Sequence, residues 1–306
     1  MFYMPPEWYK HKGTITTYPH SYENFFDYLE EVREQFLNFI KYLSEGERVY
    51  INVNSEDDRI DLEKKLAKKG IKNISILNNP TNDVWCRDNC PIFVKDENRE
   101  TVALKFRFNG WGEKYPYKLD DLAGRIIADI LGIKRIDIDI VLEGGAIEVN
   151  GSGYLLTTEA CLLNKNRNKD LSKENLEKIL KYYFGVNKIV WLKKGLIGDD
   201  TDGHIDNITR FVSENTILTA VDTNKNSENF ERLQENLEIL KGLSNFKIEE
   251  IPLPEPIKFK YPDGEDILPA NYMNFYISNK YVIVPIFNQD SDKFVLDKIQ
   301  SYFSDR

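Results

Sequence analysis

The feature that most constrains this chain is a repeat of roughly sixty residues, built from a hairpin, a helix and a returning strand. Four segments read as β-hairpins with polar tips, at 91–106, 146–157, 208–221 and 274–287. Their tips carry Asp96-Glu97-Asn98, Asn150-Gly151, Glu214-Asn215 and Ser278-Asn279-Lys280. Asn150-Gly151 is the strongest of these signals, because a two-residue hairpin turn needs positive φ at both positions. Leu, Ile and Phe then recur at helical spacing over 119–131, 172–184, 227–243 and 291–303. Short strands follow at 136–142, 188–192 and 246–251, and a further strand is expected at 71–77. Upstream, helices over 22–42 and 57–69 flank a strand at 48–53. The pattern predicts one α/β domain over 1–306, made of units that bury their faces on their neighbours. No strand follows the helix ending near Phe303. The last unit is therefore expected to be incomplete, with an open apolar edge.

The chain has 306 residues, 41% of them hydrophobic, which is enough for a large core. Its 41 basic and 50 acidic residues give a net charge of −9. That balance argues against nucleic acid as a partner, since phosphate binding needs clustered Lys and Arg, and it suits a small cationic substrate. Three sparse cysteines, Cys86, Cys90 and Cys161, read as reduced thiols of a cytoplasmic protein. Cys86 and Cys90 lie four apart with no second pair and no nearby His, so no zinc site is expected and both read as packing thiols. Residues 1–13 lack the apolar core of a signal peptide, and the apolar run at 281–287 is too short to span a bilayer. A soluble protein without membrane partner, metal or cofactor is expected, and homo-oligomerisation stays open.

Unusual polar residues cluster where each leading strand gives way to its hairpin. These are Asp83-Val84-Trp85-Cys86-Arg87-Asp88-Asn89-Cys90, Glu143-Gly144-Gly145, Gly198 through Asn207, and Leu268-Pro269-Ala270-Asn271-Tyr272. If the units surround an axis, residues at one phase of the repeat converge at one end. His204 and Asp206 are two apart and share a face if the segment is extended. Carboxylates from Asp88, Glu143 and Asp206 suit a planar cation such as a guanidinium, and an imidazole beside them can move protons near neutral pH. Singly, each motif has a plainer explanation. Arg87-Asp88 reads as a structural ion pair, Glu143-Gly144-Gly145 as a turn, and 199–206 as a solvated acidic loop. An EF-hand fails on spacing, because its first and last ligands would fall on Gly198 and Thr209. Their conjunction at one phase favours a site.

Together these residues resemble the agmatine deiminases. The resemblance rests on Met4-Pro5-Pro6-Glu7-Trp8, Tyr18-Pro19-His20, Trp85-Cys86-Arg87-Asp88, Phe108-Asn109-Gly110-Trp111-Gly112 and Leu142-Glu143-Gly144-Gly145. It continues through Cys161-Leu162-Leu163-Asn164 with Asn166-Arg167-Asn168, Asp200 through Asn207, Leu268-Pro269-Ala270 and Val284-Pro285. It implies a five-bladed α/β propeller with pseudo-fivefold symmetry. It also implies a mechanism in which a cysteine thiolate attacks the guanidinium carbon of agmatine, ammonia leaves, and water releases N-carbamoylputrescine on the way to putrescine. Asp88 and Asp206 would clamp the guanidinium, His204 would act as acid and base, and Glu143 would orient His204. Trp85, Trp111, Gly144 and Asp202 would complete the substrate site. The family's nucleophile lies in a Gly-Gly-x-x-His-Cys segment beyond the last helix, and none of Cys86, Cys90 or Cys161 matches it. The covalent step is therefore not expected of residues 1–306. Arginine or peptidyl-arginine are alternative substrates, a non-catalytic guanidine binder is an alternative function, and a metal hydrolase built on His204 and the Asp run ranks last.

Overall fold

The computed structural model describes residues 2–261 and 264–306. Its first unit is a parallel sheet of β1 (Gly13–Thr17), β2 (Arg48–Val53) and β3 (Ile74–Asn78). Helices α1 (Tyr22–Phe25), α2 (Leu29–Gly46) and α3 (Glu56–Lys69) connect these strands. β1 escapes the sequence pattern because Ile15 is its only large apolar residue, too little for an alternation. The helix expected over 22–42 is broken at Phe26, which adopts φ 49°. Its ring packs on Phe259 and Tyr261, more than two hundred residues away in sequence, so tertiary contact overrides local periodicity.

The next three units share one topology. The second contains α4 (Cys86–Asn89), β4 (Ile92–Lys95), β5 (Thr101–Arg107), α5 (Gly110–Glu113), α6 (Lys118–Ile130) and β6 (Lys134–Val141). The third contains β7 (Glu148–Val149), β8 (Tyr154–Thr158), α7 (Glu159–Leu162), α8 (Lys165–Asn168), α9 (Lys173–Phe184) and β9 (Lys188–Leu192). The fourth contains β10 (Thr209–Ser213), β11 (Thr216–Val221), α10 (Glu228–Lys241) and β12 (Lys247–Pro252). In each, an antiparallel hairpin is followed by a helix and by a strand parallel to the hairpin's second strand. Serine caps set the start of several helices: Ser55, Ser172 and Ser227 accept backbone N–H groups ahead of α3, α9 and α10. Gly70 and Gly185 end α3 and α9 in the left-handed conformation.

Two expectations are corrected. Asn150-Gly151 does not form a two-residue turn. Gly151 and Gly153 are left-handed, while the Asn150 side chain accepts the N–H groups of Ser152 and Tyr154 and closes a longer Asx loop. The fourth hairpin is reduced to β15 (Tyr276–Ile277) and β16 (Val282–Ile283), followed by α11 (Asp290–Gln300). Ahead of it stands a hairpin with no sequence signal, β13 (Lys258–Tyr261) with β14 (Gly264–Ile267). Every residue of β14 is exposed, so no hydrophobic alternation marks it.

The apolar clusters run across the boundaries between units. One cluster joins β4, β5 and β6 to β7, β8 and α9. Another joins β9, β10, β11 and α10 to β15 and α11. A third fills the first unit and takes in Tyr276 and Ile283 from the last hairpin. Among the described residues no helix is long and apolar enough to cross a membrane.

Charged groups tie the units together at the centre. The Glu7 carboxylate lies 3.0 Å from both Arg87 and Arg210, and it accepts the N–H of Ile277 at 2.8 Å. Arg210 is completely buried and also binds Glu148 and the carbonyls of Met273 and Phe275. Burial opposes charge on Glu7, but Arg210 and Arg87 outweigh it and hold the carboxyl at about 2. Its contribution to stability is thus complete above the ordinary carboxylate range and lost as pH falls toward about 2. Glu7→Gln takes from Arg87 and Arg210 a carboxylate they share, leaving each with one partner, and urea unfolding at pH 7 is expected to show a loss of about 3 kcal/mol or less.

Candidate active site

Four chain segments bring the site together. Asp88 comes from α4, the single turn that precedes the second unit's hairpin. Three hydrogen bonds to Asp120 anchor that segment: its carboxylate accepts the N–H groups of Asn82 and Asp83 and the side chain of Asn89. Glu143 and Gly145 come from the turn ahead of β7, and His204 and Asp206 from the turn ahead of β10. Trp111 comes from α5, where it adopts φ 57° and ψ 42°, uncommon for an aromatic residue. That backbone aims its indole N–H at Asp88 Oδ2, 2.9 Å away.

Asp88 Oδ1 accepts the Gly145 N–H at 2.9 Å and stands 3.8 Å from His204 Nδ1. Asp206 Oδ1 stands 4.0 Å from the same nitrogen. His204 and Asp206 do not lie on an extended segment: residues 205–207 form a 3₁₀ turn with His204 at its head, and the turn brings both side chains round together. Asp206 Oδ2 is 3.3 Å from Arg87 Nε. Arg87 therefore pairs with Asp206 and Glu7 and not, as the dipeptide alone would suggest, with its neighbour Asp88. Gly145 occupies the middle of the group. A Cβ there would lie 2.5 Å from His204 Nδ1, 2.7 Å from Asp206 Oδ2 and 2.8 Å from Asp88 Oδ1.

Burial and charge set the protonation states. Burial works against a charged His204, but Asp88, with Cys161 and Asp206, prevails and raises it well above its ordinary value. Burial pushes Asp206 up to about 6 against the pull of Arg87 and His204. Glu143 is fully buried, and its Oε1 accepts Arg167 Nε at 2.6 Å. It does not hydrogen-bond His204, although one donor atom each from Glu143, Cys161 and His204 lies within 4.8 Å of the others. These three have the residue types of a metal site. The Arg167 guanidinium bound to Glu143 places a fixed positive charge beside them, which disfavours a cation.

The remaining expected residues lie around this centre. Trp85 is at the surface, 55% exposed. Gly144 packs against the Arg87 carbonyl, so of the two glycines Gly145 is the one that faces the charged side chains. Asp202 bridges Arg167 and Lys114 at 2.8 and 2.7 Å. Arg87 and Arg167 were not singled out from the sequence as site residues, and of the two glycines only Gly144 was expected at the substrate. Arg167 had a visible signal, an arginine between two asparagines in the run that resembles the deiminases, but its partner Glu143 lies 24 residues away.

The sequence profile of the Porphyromonas-type peptidyl-arginine deiminases matches residues 3–306. The chain belongs to that family. It is 36% identical over 317 residues to a provisionally named agmatine deiminase of Selenomonas ruminantium, covering 95% of this chain and 85% of that protein. It is 32% identical over 316 residues to the agmatine deiminase of Ectopseudomonas mendocina, covering 95% and 85%. Its fold superposes with a TM-score of 0.91 on a cysteine-to-serine variant of C. jejuni agmatine deiminase with substrate bound, at 32% identity over 100% of this chain and 89% of that one. The mixed α/β architecture is thus that of a deiminase family.

Two outcomes test the site as described. Gly145→Ala forces its methyl against three charged side chains, so calorimetry should show guanidine binding lost while thermal unfolding stays cooperative. Asp120 is buried, and burial pushes it up to about 7. Folding then takes up a proton between about pH 4 and 7, so stability falls as pH rises through that window. Asp120→Asn should flatten this slope in urea unfolding followed from pH 4 to 8.

Proposed function

We propose that this chain binds agmatine through the Asp88–Asp206 pair and serves the hydrolysis of agmatine to N-carbamoylputrescine and ammonia. The observation that carries the reading is two buried carboxylates facing one imidazole around a glycine too closely surrounded to carry a side chain. Paired carboxylates recognise a guanidinium through charge-assisted hydrogen bonds. Trp111 and the Gly145 N–H fix the orientation of Asp88, and Arg87 holds Asp206. His204, kept protonated by its carboxylate neighbours, has the right charge to deliver a proton to departing ammonia and then to take one from water. Glu143, locked by Arg167, sets the electrostatic surroundings of the imidazole. The reading includes a five-bladed arrangement of the units, supported by three units of one topology and by contacts of the last hairpin with the first sheet. It also includes a cytoplasmic setting, in keeping with three free cysteines.

The attacking thiolate is not assigned to a cysteine within residues 1–306. Cys161 approaches His204, but it is fully buried and burial raises its thiol. The Cys86 sulfur lies against Thr17 and Asn52 of the first unit. The reading is accordingly that residues 1–306 supply the clamp and the proton-transfer group, while the nucleophile is not among Cys86, Cys90 and Cys161.

Calorimetry with agmatine, arginine and a peptidyl-arginine tests the substrate. Agmatine binding is expected, with affinity weakening as pH falls through about 6, where Asp206 gains a proton. Asp206→Asn should lower affinity at pH 8 by about tenfold or more, roughly 1.4 kcal/mol, and should remove that pH dependence. No steady ammonia release by residues 1–306 is expected. Preference for arginine would move the substrate assignment, and binding of none of the three would end it.

A further inference from the structure

Cys86 and Cys90 stand at the first position and just past the last position of α4, with Arg87 and Asp88 between them. The Cys90 N–H donates to the Cys86 carbonyl at 3.2 Å, so the two residues sit one helical turn apart on the same face. The Cys86 side chain and burial together raise the Cys90 thiol, in keeping with two side chains set beside each other on that turn. Both residues are partly accessible, whereas Cys161 is buried. Packing thiols would be expected to be buried like Cys161.

We propose that Cys86 and Cys90 form a dithiol modification site, closed to an intramolecular disulfide by exchange with a small-molecule disulfide, and that closure withdraws Arg87 and Asp88 from the guanidinium clamp. The second half of this proposal rests on the guanidine-binding reading given above. The first half stands on the thiol geometry alone.

The consequence follows from covalent dimensions. Side chains one turn apart on a helix have Cβ atoms about 5–6 Å apart, while a disulfide holds them at about 3.5–4.5 Å. Closing the bond must tighten or unwind α4 by about 1–2 Å. Arg87 and Asp88 lie inside the turn that moves. Asp88 is held by Trp111 and Gly145 at 2.9 Å each, and Arg87 meets Asp206 at 3.3 Å. Hydrogen bonds of this length do not survive a displacement of that size. The Cys86 sulfur would also be drawn from Thr17 Oγ1, at 3.1 Å, and from Asn52 Nδ2, at 3.6 Å. Oxidation of these two cysteines thereby reaches carboxylates that a reagent does not touch.

The exchange balances without a further reactant. The Cys86 side chain, with burial, raises the Cys90 thiol well above its ordinary value, so the first attack falls to Cys86. The Cys86 thiolate attacks one sulfur of the small disulfide, whose S–S bond breaks and releases one thiolate. Cys90 then loses its proton and attacks the Cys86 sulfur. The Cys86–Cys90 bond forms and the second small thiolate leaves. The two thiol protons end on the two released thiolates. The protein loses two electrons and the reagent gains them.

The test equilibrates the whole chain with glutathione disulfide and glutathione at several ratios, then blocks free thiols. Intact mass and peptide mapping follow the thiols, tryptophan emission follows Trp85 and Trp111, and agmatine calorimetry follows the clamp. The expected result is loss of two hydrogens, a peptide cross-linked between Cys86 and Cys90, shifted emission, and agmatine affinity lowered about tenfold or more, all reversed by dithiothreitol. Cys90→Ser should bind agmatine equally before and after the oxidant. Glutathione adducts alone, or no reaction in the wild-type chain, would overturn the modification site. A cross-linked chain with unchanged emission and agmatine affinity would overturn the link to the clamp. If the reduced chain binds no agmatine, the guanidine reading fails by itself, and cross-link and emission still decide the dithiol.

Discussion

One carboxylate, that of Glu7, holds the centre of this molecule. It reaches Arg87 from the second unit and Arg210 from the fourth, and it accepts an N–H from Ile277 in the last hairpin. Arg210 extends the link to Glu148 in the third unit. A charge this enclosed is tolerable only if its partners stay in place, because an unpaired buried ion costs several kcal/mol. The short N-terminal segment is thus fastened by electrostatics at Glu7 and by the packing of Phe2, Met4 and Trp8 on its neighbours' cores. The same Arg87 that binds Glu7 also faces Asp206, so the tie that holds the units together also sets one wall of the site.

Around that tie, charge decides what the site can do. Asp88, Asp206 and Glu143 are acidic and buried, with Arg87 and Arg167 set against them and His204 between. Asp88 and Asp206 keep His204 cationic, and burial leaves Asp206 close to neutrality, at about 6. A cation entering between Asp88 and Asp206 would relieve their mutual repulsion, which is why a guanidinium is the fitting guest. Position 145 is restricted to glycine, because a Cβ there would lie within 2.8 Å of three charged neighbours.

Much of this was legible before any coordinates. The alternation of hairpin, helix and strand places polar clusters at one phase of each unit, and Asp88, Glu143, His204 and Asp206 were read from those clusters as one site. Their convergence is what the structure shows. The arginines were less legible. Arg167 and Glu143 are 24 residues apart, and Arg87 finds its partners in Glu7 and Asp206, 80 and 119 positions away, rather than in adjacent Asp88. No local pattern carries such pairings. The choice between Gly144 and Gly145 was likewise undecidable from a motif that contains both.

By itself the sequence determined the units, because hydrophobic periodicity, serine caps and turn residues act within a few positions along the chain. It also determined which chemical groups each turn presents. Tertiary structure alone decided the break of the first helix at Phe26, the pairing of strands that lack alternation, and the partner of every buried charge. The physical reason is common to all three. Helix and turn signals are local energies, whereas ring packing and the desolvation of ions depend on which distant residue arrives to share the space.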